Sequence, residues 1–307
     1  MSRIPRSSQL GLGALALAAA IVVSGCGTTD PLAPPSEPSA DSSIVVGSQA
    51  YYSNDIIAEL YAQVLEDAGY TVERRFQIGQ RDAYIPALES GEVNVFPEYT
   101  GNLLQYFNPD ATSTDAASVY SELTDALPDS LVALDYADAE DRDSYNVTQE
   151  FSDQYGVTSL ADLASVPVTI TVGGNPELAE RPYGPKGLLE FYGVEVEFVA
   201  IGDSAGPLTK AAITDGTITM GDLYSADPDI AASGFVTLDD PQGMFLAQNV
   251  VPIVSADLAN ELASLLGAVS AQLTTDELVG LNLRSTAEQL SPSVIAKDWL
   301  TEKGLLD

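Results

Sequence analysis

The side chains that could perform chemistry in this chain are carboxyl groups and aromatic rings, because the other common catalytic groups are missing. The 307-residue sequence contains no histidine and a single cysteine, Cys26. This composition excludes Ser-His-Asp and Cys-His catalysis and zinc sites built from cysteine and histidine. Carboxylate-based hydrolysis is the enzyme chemistry that remains, with Glu98 in residues 97–101 (PEYTG) as its acid. A paired carboxylate for Glu98 cannot be identified in the sequence.

The charge of the chain limits its partners. Twelve basic residues face 45 acidic residues, which gives a formal net charge of -33. Nucleic acid is not expected as a partner, since phosphate binding needs clustered lysine and arginine. An acidic run at residues 135–143 lacks the Asp-x-Asp-x-Asp-Gly spacing of a calcium loop, so we expect no metal and no other cofactor. The acidity therefore indicates a solvated, self-repelling surface.

The first 43 residues predict export and attachment to a membrane. Arg3 and Arg6 precede an apolar run of about 14 residues at positions 10–23, a length typical of a signal peptide and short for a membrane span. Residues 23–26 (VSGC) resemble the bacterial lipobox, in which the cysteine is lipidated and becomes the mature N-terminus. We expect a signal peptide at 1–25 and a flexible linker at 26–43, anchored through Cys26. An ordinary signal peptide with an unrelated cysteine is the alternative.

Strand-like and helix-like patterns alternate from residue 44 onward and predict an α/β fold with parallel strands. Strands are expected at 44–47, 72–78 and 93–96, separated by helices at 56–65 and 84–88. The same alternation begins again in the second half, with strands at 168–172, 194–201, 218–223 and 235–238 and helices at 187–192 and 207–213. A strand at 250–254 is followed only by helices, at 258–269, 275–283 and 286–303, which should pack on the first half.

This order of elements predicts two α/β lobes that form a hinged clamshell. Lobe I would comprise residues 44–139 and 248–307, and lobe II residues 140–247. Two chain crossings, near 138–145 and 244–250, would form the hinge. Ligands in such folds bind at the C-terminal ends of the strands, which here face the cleft.

Short segments spread over residues 44–307 resemble the substrate-binding lipoproteins of osmoprotectant ABC importers, which bind glycine betaine, choline and proline betaine. The matching segments are 47–48 (GS), 78–79 (IG), 87–91 (ALESG), 97–101 (PEYTG), 175–177 (NPE), 181–182 (RP), 192–193 (YG), 224–227 (YSAD) and 303–306 (KGLL). Residues 85–88 (IPAL) and 249–252 (NVVP) look like an actinobacterial branch of that family.

The resemblance implies a two-lobed α/β clamshell of the type II periplasmic-binding-protein kind. It also implies a monomeric, extracytoplasmic binding protein without enzymatic activity, which delivers a small amine or betaine to an ABC importer permease. In the family, the tyrosines of PEYTG and of the later YSAD segment form part of an aromatic box, which assigns Tyr99 and Tyr224 to a quaternary ammonium. An arginine before proline clamps the ligand carboxylate, and Arg181 stands there. The alternatives are half-buried aromatics at sheet ends and a surface ion pair of Arg181 with Glu177.

Two departures from the family pattern weaken the expected carboxylate clamp. Gln49 stands where the family often has lysine, and Asn102 stands where it has threonine. Both side chains can donate hydrogen bonds, but the positive charge of the lysine is lost. Arg181 is then the cationic group that remains in the clamp.

Further departures add acidic groups to the expected site. Asp143 stands where the family commonly has another cage tyrosine, and Asp141 lies close to it in sequence. A tyrosine expected near residue 202 is replaced by Gly-Asp-Ser, which includes Asp203, whereas Tyr51 aligns with a family aromatic beside the cleft. If these acids face the ligand, a choline-like or donor-bearing cationic amine should bind better than glycine betaine. General surface acidity is the alternative interpretation.

Three other functions stay open from the sequence. They are a binder of a different small cationic or zwitterionic solute in the same fold, a secreted carboxylate-based hydrolase, and an adhesive surface lipoprotein.

Overall fold

The computed structural model describes residues 43–306 and contains ten strands arranged in two five-stranded sheets. In chain order the strands are β1 (Ile44–Gly47), β2 (Val72–Arg75), β3 (Val95–Tyr99), β4 (Leu131–Ala133), β5 (Asp143–Thr148), β6 (Ile170–Gly174), β7 (Val196–Ala200), β8 (Met220–Tyr224), β9 (Phe235–Thr237) and β10 (Val250–Ser255).

Eleven α-helices of the described residues connect and cover these strands. They are α1 (Tyr52–Asp67), α2 (Arg81–Glu89), α3 (Thr100–Phe107), α4 (Ala116–Ala126), α5 (Gln149–Tyr155), α6 (Pro185–Tyr192), α7 (Pro207–Thr214), α8 (Asp229–Ala232), α9 (Ala259–Ser270), α10 (Thr275–Thr286) and α11 (Pro292–Glu302). Two short 3₁₀ segments, Leu160–Ser165 and Pro176–Glu180, lie in the second half. No helix within residues 43–306 is long and apolar enough to cross a membrane.

The first sheet has the order β2-β1-β3-β10-β4. Strand β1 pairs parallel with β2 and β3, whereas β10 pairs antiparallel with β3 and β4. Because side chains alternate along a strand, Val46 and Val45 of β1 enter the cores on opposite faces of the sheet. On the face of Val46, helix α1 packs against α9, α10 and α11, as the sequence predicts for the C-terminal helices.

The second sheet has the order β7-β6-β8-β5-β9. Strand β6 pairs parallel with β7 and β8, and β5 pairs antiparallel with β8 and β9. All five strands come from residues 143–237, whereas the first sheet uses chain before and after that range. The half that contains the first sheet is called lobe I and the half that contains the second sheet lobe II. We propose that lobe I comprises residues 44–139 and 248–307 and lobe II residues 140–247.

The chain passes between the sheets twice, and the two passages run side by side. Glu140 and Asn249 form an antiparallel bridge. Next to it, the Asp141 N–H donates to the Gln248 carbonyl at 3.2 Å, and the Val250 N–H donates to the Ala139 carbonyl at 2.9 Å. Two adjacent connecting strands are the arrangement expected of a hinge that lets two lobes move as rigid bodies.

The sequence analysis missed or misplaced several elements. The start of strand β5 lies in the segment expected as a crossing, because its polar residues interrupt the apolar pattern. The sequence also does not predict strand β4 or helices α3, α4 and α5. Strand β2 ends at Arg75 rather than at residue 78, since Gln77 takes a left-handed backbone (φ 56°) and its N–H donates to the Ser48 hydroxyl at 2.8 Å. The helix expected at 286–303 begins only at Pro292, a residue suited to a helix N-terminus.

Candidate ligand-binding cleft

Three tyrosines meet where the two sheets face each other. Tyr99 ends strand β3 of lobe I, Tyr51 directly precedes helix α1, and Tyr224 ends strand β8 of lobe II. The Tyr51 ring centroid lies 6.5 Å from that of Tyr99 and 5.1 Å from that of Tyr224, and the Tyr51 hydroxyl donates to the Tyr99 hydroxyl. Strand ends thus place aromatic faces from both lobes around one point.

The cavity beside these rings measures about 40 Å³ and collects all eight residues that the sequence assigned to ligand binding. These are Gln49, Tyr51, Tyr99, Asn102, Asp141, Asp143, Arg181 and Tyr224. The sequence analysis missed seven further lining residues, which are Gln80, Arg81, Asn175, Glu177, Leu178, Tyr183 and Asp222. Of these, Asp222 could have been found, because it lies two residues before Tyr224 on one strand and therefore on the same face.

Carboxyl groups dominate the polar lining. Burial raises the pKa of Asp141 to about 7, the nearby charges of Asp143 and Asp227 act in the same direction, and the hydrogen bond from the Ala226 N–H (2.9 Å) opposes them. Burial also raises the pKa of Asp222 well above its usual value, and the Asp143 carboxyl beside it raises it further. Across residues 43–306, no three His, Cys, Asp or Glu side chains are grouped so that they could hold a metal ion.

Two donors of the cavity have no hydrogen-bond or salt-bridge partner among residues 43–306. The Gln49 side chain is 4% exposed, and its Nε2 makes no hydrogen bond to any described residue. The Arg181 guanidinium lines the cavity without a salt bridge to any carboxylate of residues 43–306, so the expected alternative of an ion pair with Glu177 is not observed. Both groups are free to donate to an anionic or polar part of a ligand.

Asn102 is engaged with the protein rather than open to the cavity. Its Nδ2 donates to Asp143 Oδ2 at 2.6 Å, and its Oδ1 accepts from Gln248 Nε2 at 2.8 Å. The first of these bonds joins lobe I to lobe II. The structure therefore gives Asn102 a cross-cleft contact that the sequence analysis did not foresee.

Glu98 has a structural role, which removes the basis of the hydrolase alternative. Its carboxylate is fully buried and accepts from Arg81 Nε at 3.0 Å and Nη2 at 2.7 Å, as well as from the Tyr84 hydroxyl and the Tyr99 N–H. A carboxylate engaged by all these donors is held inside lobe I and does not reach the cleft as an acid. The sequence could not show this, since Arg81 lies 17 residues away.

Asp203 does not face the ligand cavity, contrary to the sequence-based expectation. Its carboxylate accepts from the Leu208 N–H at 2.6 Å and from the Thr209 N–H and hydroxyl at 3.2 and 2.6 Å, so it caps the start of helix α7. The neighbouring Ser204 and Ala205 take left-handed backbone conformations (φ 53° and 59°), which turn the loop into the helix.

The two sheets, the paired crossings and the cavity at strand ends define a two-lobed solute-binding protein. The comparisons with known proteins agree with that class. Residues 42–302 match the family described as the substrate binding domain of the ABC-type glycine betaine transport system, and the chain belongs to this family.

Curated relatives and solved structures extend the comparison over most of the chain. The chain is 29% identical over 280 residues to the glycine betaine-binding protein YehZ of Escherichia coli, which covers 86% of this chain and 92% of the relative. It is 27% identical over 277 residues to a glycine-betaine-binding protein of Pseudomonas aeruginosa, covering 85% and 88%. A crystal structure titled as a glycine betaine/carnitine/choline ABC transporter matches the fold with a TM-score of 0.69 at 18% identity, covering 86% of this chain and all of that chain.

Membership of this family confirms the predicted family, the two-lobed α/β fold and the class of function. The protein is a substrate-binding component that delivers a solute to an ABC importer, and it is not an enzyme. The predicted signal peptide, the linker and Cys26 lie outside the described residues.

Proposed function

We propose that the cleft binds a small quaternary-amine or betaine-type solute and closes over it for delivery to the importer. The observation that carries this proposal is the meeting of Tyr51, Tyr99 and Tyr224 from two lobes beside buried carboxyl groups. A quaternary ammonium cannot donate hydrogen bonds and is held by aromatic faces, each contributing about 0.5–2 kcal/mol. The names of the two bacterial relatives, both glycine betaine-binding proteins, support the same class of ligand.

Within this class, the lining of the cleft favours a cation over a compact zwitterion. Asp141, Asp143 and Asp222 line the cavity together with Glu177, whereas Arg181 is the lining guanidinium without a carboxylate partner among residues 43–306. Arg81, the second lining guanidinium, is neutralised by Glu98. Closing the cleft removes its acidic side chains from water, and a choline-like cation offsets this desolvation cost. The carboxylate of glycine betaine would instead be repelled by the same acidic side chains.

A thermal-shift screen over choline, glycine betaine, carnitine, ergothioneine and polyamines tests the proposal. Binding stabilises the folded state by about 2.7 kcal/mol at a ligand concentration of 100 Kd, so one or more amines should raise the melting temperature. Tyr99→Ala should lose most of the shift, and Tyr155→Ala, which changes a half-buried tyrosine on α5, should keep it. No shift with any amine contradicts the proposal and favours an adhesive role, whereas an equal shift for both variants contradicts the placement of the ligand against Tyr99.

The mature protein is proposed to be a monomer held at the outer face of the cell membrane by a lipid on Cys26. The cysteine after the apolar run of the N-terminus supports this anchoring. Mass spectrometry of the membrane fraction should find a diacylglyceryl adduct on Cys26, and Cys26→Ala should release the protein or block its processing. If the variant stays anchored and is processed as before, the lipidation proposal is wrong, whereas the ligand proposal is unaffected.

A further inference from the structure

We propose that Asp222 accepts an N–H of the ligand, so that the cleft prefers amines with at least one N–H on the cationic nitrogen over fully methylated ones. The class of ligand would be protonated secondary or tertiary amines and amidinium-like cations. This inference rests on the proposed function, because it refines the ligand of the same cleft.

The Asp222 carboxyl group is buried and shares a side-chain hydrogen bond with Asp143, but one of its oxygens receives no donor. The residue is 5% exposed and lines the cavity, and its Oδ1 makes no hydrogen bond to any part of the chain that the structure describes. An unsatisfied buried acceptor of this kind is rare in folded proteins and is costly unless a ligand or water reaches it.

The backbone around Asp222 is shaped to admit this side chain. A Cβ atom on Gly174 of the neighbouring strand β6 would lie 3.1 Å from the Asp222 Cβ and 2.6 Å from Leu178 Cδ2. A larger residue at position 174 would therefore displace the carboxylate or the 3₁₀ segment that follows. The site holds Asp222 in place by close packing rather than by a paired cation.

Among Asp141, Asp143 and Asp222, the acceptor without a hydrogen-bond donor from residues 43–306 is Asp222 Oδ1. Tyr145 pairs with Asp222 and Tyr224 pairs with Asp143 across strands β5 and β8, so the two carboxyls are diagonal neighbours on one face. Asp143 already accepts from Asn102 at 2.6 Å, and Asp141 already accepts from the Ala226 N–H at 2.9 Å. Neither occupied acceptor needs a ligand N–H in the way that Asp222 Oδ1 does.

A trimethylated ammonium cannot satisfy this oxygen. When the cleft closes over such a ligand, Asp222 Oδ1 is removed from water and has no hydrogen-bond donor. A dimethylammonium, in contrast, donates one charge-assisted hydrogen bond to this oxygen. The exchange of one methyl for one N–H loses some contact with the tyrosine faces, but the gain of a buried, charged hydrogen bond is larger.

Calorimetric titration with matched ligand pairs tests the inference. N,N-dimethylglycine is compared with glycine betaine, and N,N-dimethylethanolamine with choline, at a pH at which all four nitrogens are cationic. Wild-type protein should bind the dimethylated member of each pair about tenfold tighter, and Asp222→Ala, which removes the acceptor oxygens, should reduce that ratio to near one. Asp239→Ala, the same truncation at an exposed position outside the cavity, should leave the ratio unchanged.

The outcomes separate this inference from the proposed function. If the trimethylated member binds equally or more tightly to wild-type protein, the inference is overturned, while amine binding itself stands. If no amine binds at all, both fail. The wild-type ratios decide the matter without any variant, so misfolding of Asp222→Ala does not remove the test.

Discussion

At the scale of single residues, Asp141 should make ligand binding in the cleft depend on pH. Its pKa of about 7 reflects burial first, then the charges of Asp143 and Asp227, while Tyr51, Tyr52 and Tyr99 also face it. Below pH 7 the carboxyl is neutral and attracts a cation weakly. The ligand-free folded state binds this proton more tightly than the unfolded state, so the stability that Asp141 contributes falls as pH rises from about 4 to about 7.

We therefore expect affinity for a cationic amine to rise with pH, by up to tenfold per unit below pH 7, and to level off above it. Calorimetry of choline binding between pH 5 and pH 8 measures this dependence. Asp141→Asn should flatten the profile. A flat wild-type profile, or an unchanged profile in the variant, contradicts the assignment of Asp141.

The pair of Arg81 and Glu98 gives a second prediction at the residue scale. Glu98→Gln leaves the Arg81 guanidinium buried without a counter-charge, and breaking a buried pair in this way costs about 3–5 kcal/mol. Urea unfolding should show that loss in the free energy of unfolding. As a matched control, Glu66→Gln breaks a partly exposed pair with Arg74 and should cost about 1 kcal/mol or less. Equal losses in the two variants would contradict the stabilising role of the buried pair.

At the scale of elements, the turn that carries Arg181 depends on close backbone packing. A Cβ on Gly184 would lie 1.9 Å from the Leu178 carbonyl oxygen, so alanine cannot be accommodated there without moving the turn. Arg181 and Tyr183, both in the cavity lining, would move with it.

Gly184→Ala should therefore lower the melting temperature and weaken amine binding together. Gly267→Ala serves as control, because a Cβ there meets nothing within 4 Å and alanine favours helix α9 by up to about 1 kcal/mol. Calorimetry and thermal unfolding measure both effects. Unchanged binding in Gly184→Ala would mean that the turn does not position the ligand-binding groups.

The elements also show what the sequence could predict. Apolar runs predicted eight of the ten strands of the described residues. Strand β4 was not predicted, and β5 was missed because Asp143, Ser144 and Asn146 break the apolar pattern. In the structure these polar groups are paired, for example Thr237 Oγ1 with Asn146 Oδ1 at 2.6 Å. Partners of that kind come from distant strands, so local periodicity cannot reveal them.

At the scale of the whole molecule, contacts between the lobes close the cleft. Asn102 bonds to Asp143, Tyr51 packs on Tyr224, and Gln80 Nε2 donates to Ser204 Oγ at 3.4 Å. Family motifs predicted which strand ends face the cavity. They could not predict the bond between Asn102 and Asp143 or the free oxygen of Asp222, since both depend on how the two lobes meet.

The most direct test of the central claim is a calorimetric titration of choline into wild-type protein and into the double variant Tyr51→Ala/Tyr224→Ala. The account predicts one binding site per chain in the wild type. It predicts a Kd about thirtyfold higher or more in the double variant, because an aromatic face is removed from each lobe. Equal Kd values in the two proteins, or no binding of choline to the wild type, would contradict a cation site between these tyrosines.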